Sequence, residues 1–406
     1  MLYSNLVTRF SNNVSSMKIT LEMFMIDTKG FKYFSHKSMR TFILGFLLLF
    51  CMISLFAEPQ QEISNPQNLR TVIDMRGRSV EIPENINSIV ALGAGSLRLV
   101  TYLNAADKVV AVEDLGNGRE KTSYDFFNLA TYRIAYPELQ NLPSIGSIEN
   151  HEGLINASPD LIIASYTDIS QLDQLQNTLG IPVFAVNVDV EFYETDLFYH
   201  QIELLGEVLD KKERAEELVT GIKAVLKDIE NRAQKVSTPK RVYAGGMMFY
   251  GPANLLRTTG DFLPFDLTNS ENVMPTNPTG NLQPYMTSLE DFIAASPDYI
   301  FIDAANVKLS KAGFEDNKKV LEEQVPAFKN HNVYTTFVYK YYGTNWENQL
   351  INVYLVGKTL YPDLYFDINK KNKATEIWDL FFSVALDYDN VCEKQKSGPE
   401  QVDWFN

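Results

Sequence analysis

The sequence predicts an α/β protein with two lobes, each built around a central, mostly parallel sheet, joined by a single long spine helix. Two observations carry this prediction. A helix–turn–strand pattern occurs twice along the chain, and a long segment with one apolar stripe separates the two copies. Strands that alternate with helices favour parallel sheets covered by helices on both faces.

The repeated pattern reads NHEGLINASPDLIIAS at residues 150–165 and TSLEDFIAASPDYIFIDA at residues 287–304. Each copy has an apolar helical stretch, a Ser-Pro-Asp triplet and an Ile-rich run. Proline cannot continue a helix, and a short apolar run behind a turn is typical of a buried strand. Two such copies predict two lobes of similar plan.

Further elements complete each lobe. Residues 71–83, TVIDMRGRSVEIP, predict a hairpin that turns at Gly77 before the first lobe, and Ser96–Leu103 predicts a helix. Short apolar runs predict the remaining strands. These are Ser88–Leu92, Val109–Val112 and Val183–Val186 in the first lobe, and Arg241–Ala244, Tyr299–Ile302 and Val333–Thr336 in the second.

The spine is predicted between the lobes, in the helical segment 196–236. Asp210 and Glu213 have the spacing of a capping box, and an apolar stripe follows them. Such a helix is stiffer than a Gly/Ser linker. The stripe consists of Ala215, Leu218, Ile222, Val225, Ile229 and Ala233.

An export signal is predicted near the N-terminus. Residues 41–57, TFILGFLLLFCMISLFA, carry no charge and follow Lys37 and Arg40, which is typical of a secretory signal. We expect cleavage after Ala57; an uncleaved anchor and a lipid on Cys51 are the alternatives. The expected division is 1–38 upstream leader or misassigned start, 39–57 signal peptide, 66–195 N-terminal lobe, 196–236 spine, 240–390 C-terminal lobe and 391–406 tail.

Composition excludes several classes of protein. The 406 residues are 45% hydrophobic and 12% aromatic, unlike a disordered chain, and the net charge of −15 disfavours nucleic acid as a partner. Only Cys51 and Cys392 are present, so removal of the signal leaves no disulfide pair. The histidines show no metal-ligand spacing, which argues against a zinc or manganese site. They are His36, His151, His200 and His331.

The order of these elements behind an export signal resembles the substrate-binding proteins of ABC importers for iron–siderophore, haem and corrinoid chelates. The resemblance covers residues 71–387. Its markers are the hairpin, SIVALGAGSLRLVTYL with DKVVAVED, PSIG at 143–146, the two SPD triplets and YKYYGTNWENQLINVYLVGKTLYPD at 339–363.

This resemblance implies two Rossmann-like lobes with a ligand between them. It also implies no enzymatic activity, no cofactor, an extracytoplasmic location (periplasmic or at the membrane surface), a monomer, and delivery of ligand to an ABC permease and its ATPase. An iron–siderophore, an Fe³⁺ complex, is the expected ligand. Haem or a corrinoid comes next, then an oxyanion or a free metal ion.

The candidate site follows from the rule that open α/β sheets bind ligands beyond the carboxyl ends of their strands. In the first lobe, Tyr166 lies there, and the backbone N–H groups of Gly95 and Ser96 can hold an anion or simply form a tight turn. In the second lobe, the apolar, flexible loop 245–251 can contact a ligand or pack in the core, and Arg257 can pair with a ligand carboxylate or with Asp261. The predicted contacts of that loop are Met247, Met248 and Tyr250.

An aromatic group is predicted at the corner after the last strand of the second lobe. Thr344 and Glu347 form a second capping box, so a helix is expected from Thr344 to about Leu360. Aromatic walls suit chelates with flat faces, although packing against the spine is the alternative. The aromatic group comprises Tyr339, Tyr341, Tyr342 and Trp346. The irregular stretch 114–143 can line the same mouth, and for its residues Tyr132, Arg133 and Tyr136 a surface position is favoured over a site position.

Two rival functions remain. Gly93-Ala94-Gly95 after a strand, with Glu113 closing the next strand, imitates a dinucleotide fingerprint of an oxidoreductase, but Arg98 occupies the third glycine position. A ligand sensor without a transport role is the other alternative, because a fold does not determine function.

Overall fold

The computed structural model describes eight stretches of the chain, which together form one compact unit within residues 68–406. The predicted signal, Cys51, His36, Tyr250 and Tyr341 lie outside the described residues. Within the described part, no helix is both long and apolar enough to cross a membrane. The described residues are 68–113, 130–166, 168–187, 195–248, 251–277, 283–340, 342–395 and 398–405.

The described part contains thirteen strands, all of them short. They are β1 Leu69–Ile73, β2 Ser79–Pro83, β3 Ile89–Leu92, β4 Val109–Glu113, β5 Ser144–Gly146, β6 Leu161–Ala164, β7 Val183–Ala185, β8 Arg241–Gly245, β9 Arg257–Thr258, β10 Glu271–Asn272, β11 Tyr285–Met286, β12 Tyr299–Asp303 and β13 Val333–Thr336.

Fourteen α-helices surround these strands in the described part. They are Ser96–Tyr102, Thr131–Ala135, His151–Ala157, Ile169–Leu179, Thr195–Val208, Lys212–Ala233, Leu263–Leu267, Leu289–Ala295, Val307–Asp316, Lys318–Gln324, Pro326–Lys329, Trp346–Leu360, Lys370–Phe382 and Tyr388–Gln395. Short 3₁₀ turns add Ala106–Lys108, Pro137–Asn141 and Ala304–Asn306.

The fold is the predicted two-lobed α/β arrangement. A five-stranded parallel sheet in the order β5-β4-β3-β6-β7 forms the first lobe, and a four-stranded parallel sheet in the order β10-β8-β12-β13 forms the second. The predicted hairpin is present as antiparallel β1 and β2, with Gly77 at φ 75° in its turn. The six predicted core strands are all confirmed.

The two Ser-Pro-Asp triplets end helices as predicted. Ser158 and Ser296 follow their helices in the left-handed conformation, with φ of 46° and 49°. Each serine N–H bonds to carbonyls in the last helical turn, and the proline behind it cannot extend the helix. The strands that follow, β6 and β12, are almost wholly buried.

The predicted long spine helix is present as Lys212–Ala233, and a second helix, Thr195–Val208, precedes it in the same segment. Thr195–Val208 and Lys212–Ala233 are separated by a turn in which Asp210 has φ 57°. The predicted capping box at Asp210 is therefore wrong: Lys211 is the N-cap and no side chain caps this helix. Asp210 instead belongs to the C-terminal turn of the preceding helix, where the Lys211 N–H reaches the Gly206 carbonyl at 2.7 Å.

One hydrophobic core extends through both lobes. It joins Leu99 and Tyr102 of the first lobe to Ile351 and Trp378 of the second, and it includes most of the predicted spine stripe. The outer faces of the two sheets have separate cores, around Ile162 in the first lobe and around Ile300 in the second. Because apolar side chains of both lobes are buried together, separating the lobes would expose this surface to water.

Candidate functional site

The two lobes face each other where the strand order of each sheet reverses. In the first sheet the chain moves outward in opposite directions from β3 and β6, and in the second from β8 and β12. Such points open a crevice beyond the carboxyl ends of the strands. The Gly93–Gly95 loop and Tyr166 lie at the first crevice, and Gly246 and Asp303 lie at the second.

A small cavity lies at the crevice of the first lobe, and Tyr342 of the second lobe closes one side of it. Its volume of about 10 Å³ corresponds to roughly one water molecule. The described residues that line it are Ala91, Gly93, Gly95, Leu97, Glu113, Tyr132, Arg133 and Tyr342. Since this space holds no more than about one water molecule, any larger ligand requires the lining residues to move.

The Glu113 carboxylate binds both lobes at this cavity. Its Oε2 accepts hydrogen bonds from the Gly93 N–H at 2.7 Å and from the Tyr342 hydroxyl at 2.8 Å, and Oε1 lies 3.4 Å from the Tyr166 hydroxyl. Burial raises the pKa of Glu113, and these three donors oppose that rise. Burial, followed by the charge of Glu113, raises the pKa of both tyrosines, so their hydroxyls stay protonated donors.

The backbones of the two lobes touch beside this carboxylate. Gly343 has φ 97°, and a Cβ atom at this position would lie 3.1 Å from both the N and the Cα of Gly95. Tyr342 itself adopts the left-handed conformation, with φ 46°. Only glycine at position 343 permits this approach, which brings the Tyr342 ring to the cavity wall.

Arg133 is a buried cation on the same wall. Its side chain belongs to a residue that is 7% exposed, and no described carboxylate forms an ion pair with it. Its Nε has no hydrogen-bond partner in the described part of the structure, and its guanidinium lies 5.8 Å from the Tyr132 ring centroid. A buried charge with no counter-ion among the described residues is costly, so this arrangement suits an anionic ligand.

Asp303 plays a similar part in the second lobe. It is buried at the end of β12 and accepts N–H hydrogen bonds from Ala305 at 3.0 Å and from Met248 and Tyr339 at 3.3 Å. Burial raises its pKa to about 6, although these bonds counteract the rise. Asp303 thus holds the two loops of the second lobe that border the crevice.

Of the residues predicted for the site, Gly95 and Tyr342 line the cavity and Tyr166 contacts Glu113. The Ser96 hydroxyl is used within its own turn, donating to the Leu92 carbonyl at 2.7 Å. Arg257 donates from Nη1 to the Gly251 carbonyl at 3.1 Å.

Several of the other predicted residues lie in packed surroundings. Met247 is buried and Met248 half-buried, with its sulfur 4.0 Å from Asn306 Nδ2. Trp346 packs on Phe198, with ring centroids 4.5 Å apart, and Tyr339 packs on Phe262. Neither aromatic is among the described residues that line the cavity, and both rings are buried in the shared core.

The expected surface positions of Tyr132, Arg133 and Tyr136 are wrong. Tyr132 and Arg133 are buried, and the half-buried Tyr136 donates its hydroxyl to the Phe382 carbonyl of the second lobe at 2.6 Å. The short helix Thr131–Ala135 lies between the lobes, which no local sequence signal indicates. Arg133 lines the cavity, although the sequence analysis favoured a surface position for it over a position at the site.

The second capping box is also wrong. The helix begins at Trp346 with Asn345 as N-cap, and no side chain caps it. Glu347 is fully buried and contacts residues of the first lobe, among them Arg98 at 3.1 Å. Its carboxylate cannot serve both the helix end and this partner.

The histidines lie apart from one another. His151, His200 and His331 are exposed on different helices and turns, and His331 stacks on Phe405 with ring centroids 4.2 Å apart. Across the described stretches, no three His, Cys, Asp or Glu side chains form a group that could hold a metal ion.

A comparison with protein families and solved structures agrees with this two-lobed architecture. A family model described as "Periplasmic binding protein" matches residues 89–337. A periplasmic solute-binding protein from Veillonella parvula superposes with a TM-score of 0.63 at 20% identity, covering 80% of this chain and 96% of that one. At this identity the similarity shows the fold alone.

Two curated relatives have sequence similarity. The molybdate-binding protein MolA of Haemophilus influenzae is 25% identical over 356 residues, covering 80% of this chain and 93% of MolA. The structure of MolA bound to molybdate superposes with a TM-score of 0.60, covering 78% of this chain and 99% of that chain at 22% identity. YvrC of Bacillus subtilis, an uncharacterised ABC transporter substrate-binding lipoprotein, is 29% identical over 173 residues, covering 41% of this chain and 48% of YvrC.

Proposed function

The chain belongs to the periplasmic binding protein family, whose members serve transport and are not enzymes, and we propose that its cleft captures a compact oxyanion of the molybdate kind for an ABC importer. In this role the protein works outside the cytoplasm and delivers its ligand to a membrane permease with its ATPase. The uncharged run at residues 41–57 and the lipoprotein relative support export to the periplasm or the membrane surface.

The observation that carries the oxyanion proposal is the Arg133 guanidinium. It is buried beside a cavity of about 10 Å³, and no described carboxylate pairs with it. A tetrahedral oxyanion is compact, and its oxygens accept the charge-assisted hydrogen bonds that a guanidinium donates. Tyr132 and Tyr342 line the same space.

A metal chelate, with an iron–siderophore first and haem or a corrinoid after it, is the second candidate. The rings of Tyr132 and Tyr342 on the cavity wall favour it, since aromatic faces suit flat or catecholate ligands. A chelate of this size requires the Tyr342 loop to move away from Glu113. Its anionic groups would still use Arg133, so the two candidates differ in size rather than in charge.

The test is a calorimetric titration of the purified protein, without residues 1–57, against molybdate, sulfate, a ferric siderophore, haem, cobalamin and bare Zn²⁺. The expected result is saturable binding of molybdate and no binding of the ferric siderophore, haem or cobalamin. Binding of a siderophore or a tetrapyrrole in preference to molybdate supports the second candidate instead. Tight binding of Zn²⁺ that depends on His151 or His331 contradicts both.

A further inference from the structure

The contact between the lobes behind the cleft centres on one buried carboxylate. Glu347, in the first turn of the helix Trp346–Leu360 of the second lobe, is fully buried. Three donors reach it: Arg98 Nη1 at 3.1 Å, the Tyr102 hydroxyl at 2.5 Å and the Thr131 hydroxyl at 2.5 Å. All three donors belong to the first lobe, so this carboxylate holds first-lobe elements against the second.

Thr131 connects this network to the wall of the small cavity. It is the first residue of the short helix Thr131–Ala135, whose next two residues, Tyr132 and Arg133, line the cavity. The Thr131 hydroxyl also lies 3.3 Å from Asn348 Nδ2. A single hydroxyl on the first lobe is thereby fastened to two side chains of the second, directly before the arginine of the site.

The other arm of the network reaches the same helix. The Arg98 guanidinium lies 4.9 Å from the centroid of the Tyr132 ring, within the range of a cation–π contact. Asn348 in turn accepts a hydrogen bond from Trp378 Nε1 at 3.0 Å, which fixes its amide. The helix that carries Arg133 is therefore held through its first residue and through its first aromatic ring.

A purely stabilising role accounts poorly for this arrangement. A buried ion pair often contributes less to stability than apolar packing of the same volume, because both charges lose their hydration. A buried hydrogen-bond network does, however, restrict the geometry of the groups attached to it. Arg133 is such a group, and it has no ion-pair partner of its own among the described residues.

We propose that Glu347 is a positioning residue: through Thr131 it sets the place of Arg133 on the cleft wall and so tunes anion affinity from the opposite lobe. This inference rests on the proposed function in taking Arg133 as the ligand's partner. The proposed link passes through the Thr131 hydroxyl. Removing that hydroxyl therefore tests the positioning role without changing Glu347 or its burial in the core.

The test uses Thr131→Val, which preserves shape but removes the hydroxyl, and Thr131→Ser, which keeps the hydroxyl. We expect T131V to weaken molybdate binding about three- to tenfold and T131S to bind like the wild type. In an Arg133→Met background T131V should add no further loss, because the two residues act as a unit. Cooperative unfolding of each variant shows that it is folded.

Hydrogen exchange of the peptide covering residues 130–136, measured without ligand, separates the two proposals. T131V should exchange faster there than the wild type, and T131S should not. If the wild-type protein does not bind molybdate, only the proposed oxyanion ligand is refuted. The hydrogen-exchange result then decides whether Thr131 positions Arg133. Unchanged exchange and unchanged affinity in T131V, or an equal loss in T131S, would overturn it.

Discussion

Tyr342 of the second lobe donates a hydrogen bond of 2.8 Å to the Glu113 carboxylate of the first. The same carboxylate oxygen receives the Gly93 N–H, which lies in the loop at the reversal of the first sheet. One acidic side chain therefore joins the loop of one lobe to the aromatic corner of the other. Any ligand large enough to separate the two must replace this bond.

Removal of the Tyr342 hydroxyl should destabilise the protein. Tyr342→Phe takes one of two close donors from a buried carboxylate, and hydrogen bonds to charged groups contribute about 1.5–3 kcal/mol. Tyr166→Phe is the matched control, because its hydroxyl lies 3.4 Å from Glu113 and contributes less. Urea unfolding at neutral pH measures both, and equal losses in the two variants would show that the bond between the lobes has no special weight.

Removal of the Arg133 charge should weaken anion binding. Arg133→Met deletes the buried guanidinium, and the loss of a charge-assisted contact corresponds to a dissociation constant roughly ten- to hundredfold higher. Lys319→Met makes the same change of net charge at an exposed position far along the chain. Calorimetry with molybdate measures both variants. Similar losses in the two would trace the effect to net charge and not to the site.

Stability should depend on pH through Asp303. Burial raises its folded pKa to about 6 from 3.8, so the folded state holds the extra proton between those values. The stabilisation present below about pH 4 is therefore lost as pH rises through 6. In Asp303→Asn this loss is absent, so from pH 4 to 7 the wild type should lose about 2 kcal/mol more than the variant. Urea unfolding at several pH values checks this, and parallel curves would contradict it.

The lobes should move little when ligand binds. Their shared core includes Leu99, Tyr102, Ile351 and Trp378, and opening the lobes widely would expose it. We expect small-angle scattering profiles with and without molybdate to superpose. A clear compaction on ligand addition would favour a hinge elsewhere in the chain.

The exported protein should begin near Glu58. The uncharged run at residues 41–57 behind Arg40 motivates this expectation. N-terminal sequencing of protein recovered from the cell envelope checks it. An intact segment 1–57 would indicate an uncleaved anchor, and a mature protein starting at a lipid-modified Cys51 would indicate lipid attachment.

Much of the fold could be predicted because its signals are local. The Ser-Pro-Asp triplets end two helices, apolar runs form the six core strands, and Gly77 turns the hairpin. Each of these depends on residues within a few positions of one another. The same kind of reasoning failed at Asp210, where the preceding helix claims the residue for its own C-terminal turn.

The sequence by itself determined two α/β lobes, their order and the loops at which a ligand could bind, because backbone preferences and apolar periodicity act over short distances. Only the tertiary structure decided which side chains those loops bring together. Glu347 bonds to Arg98 and Thr131, which lie 249 and 216 positions away in the sequence. It therefore binds these buried partners on the other lobe and does not cap its own helix. Arg133 is a candidate site residue for the same reason: packing of the two lobes buries its charge, and no described carboxylate forms an ion pair with it.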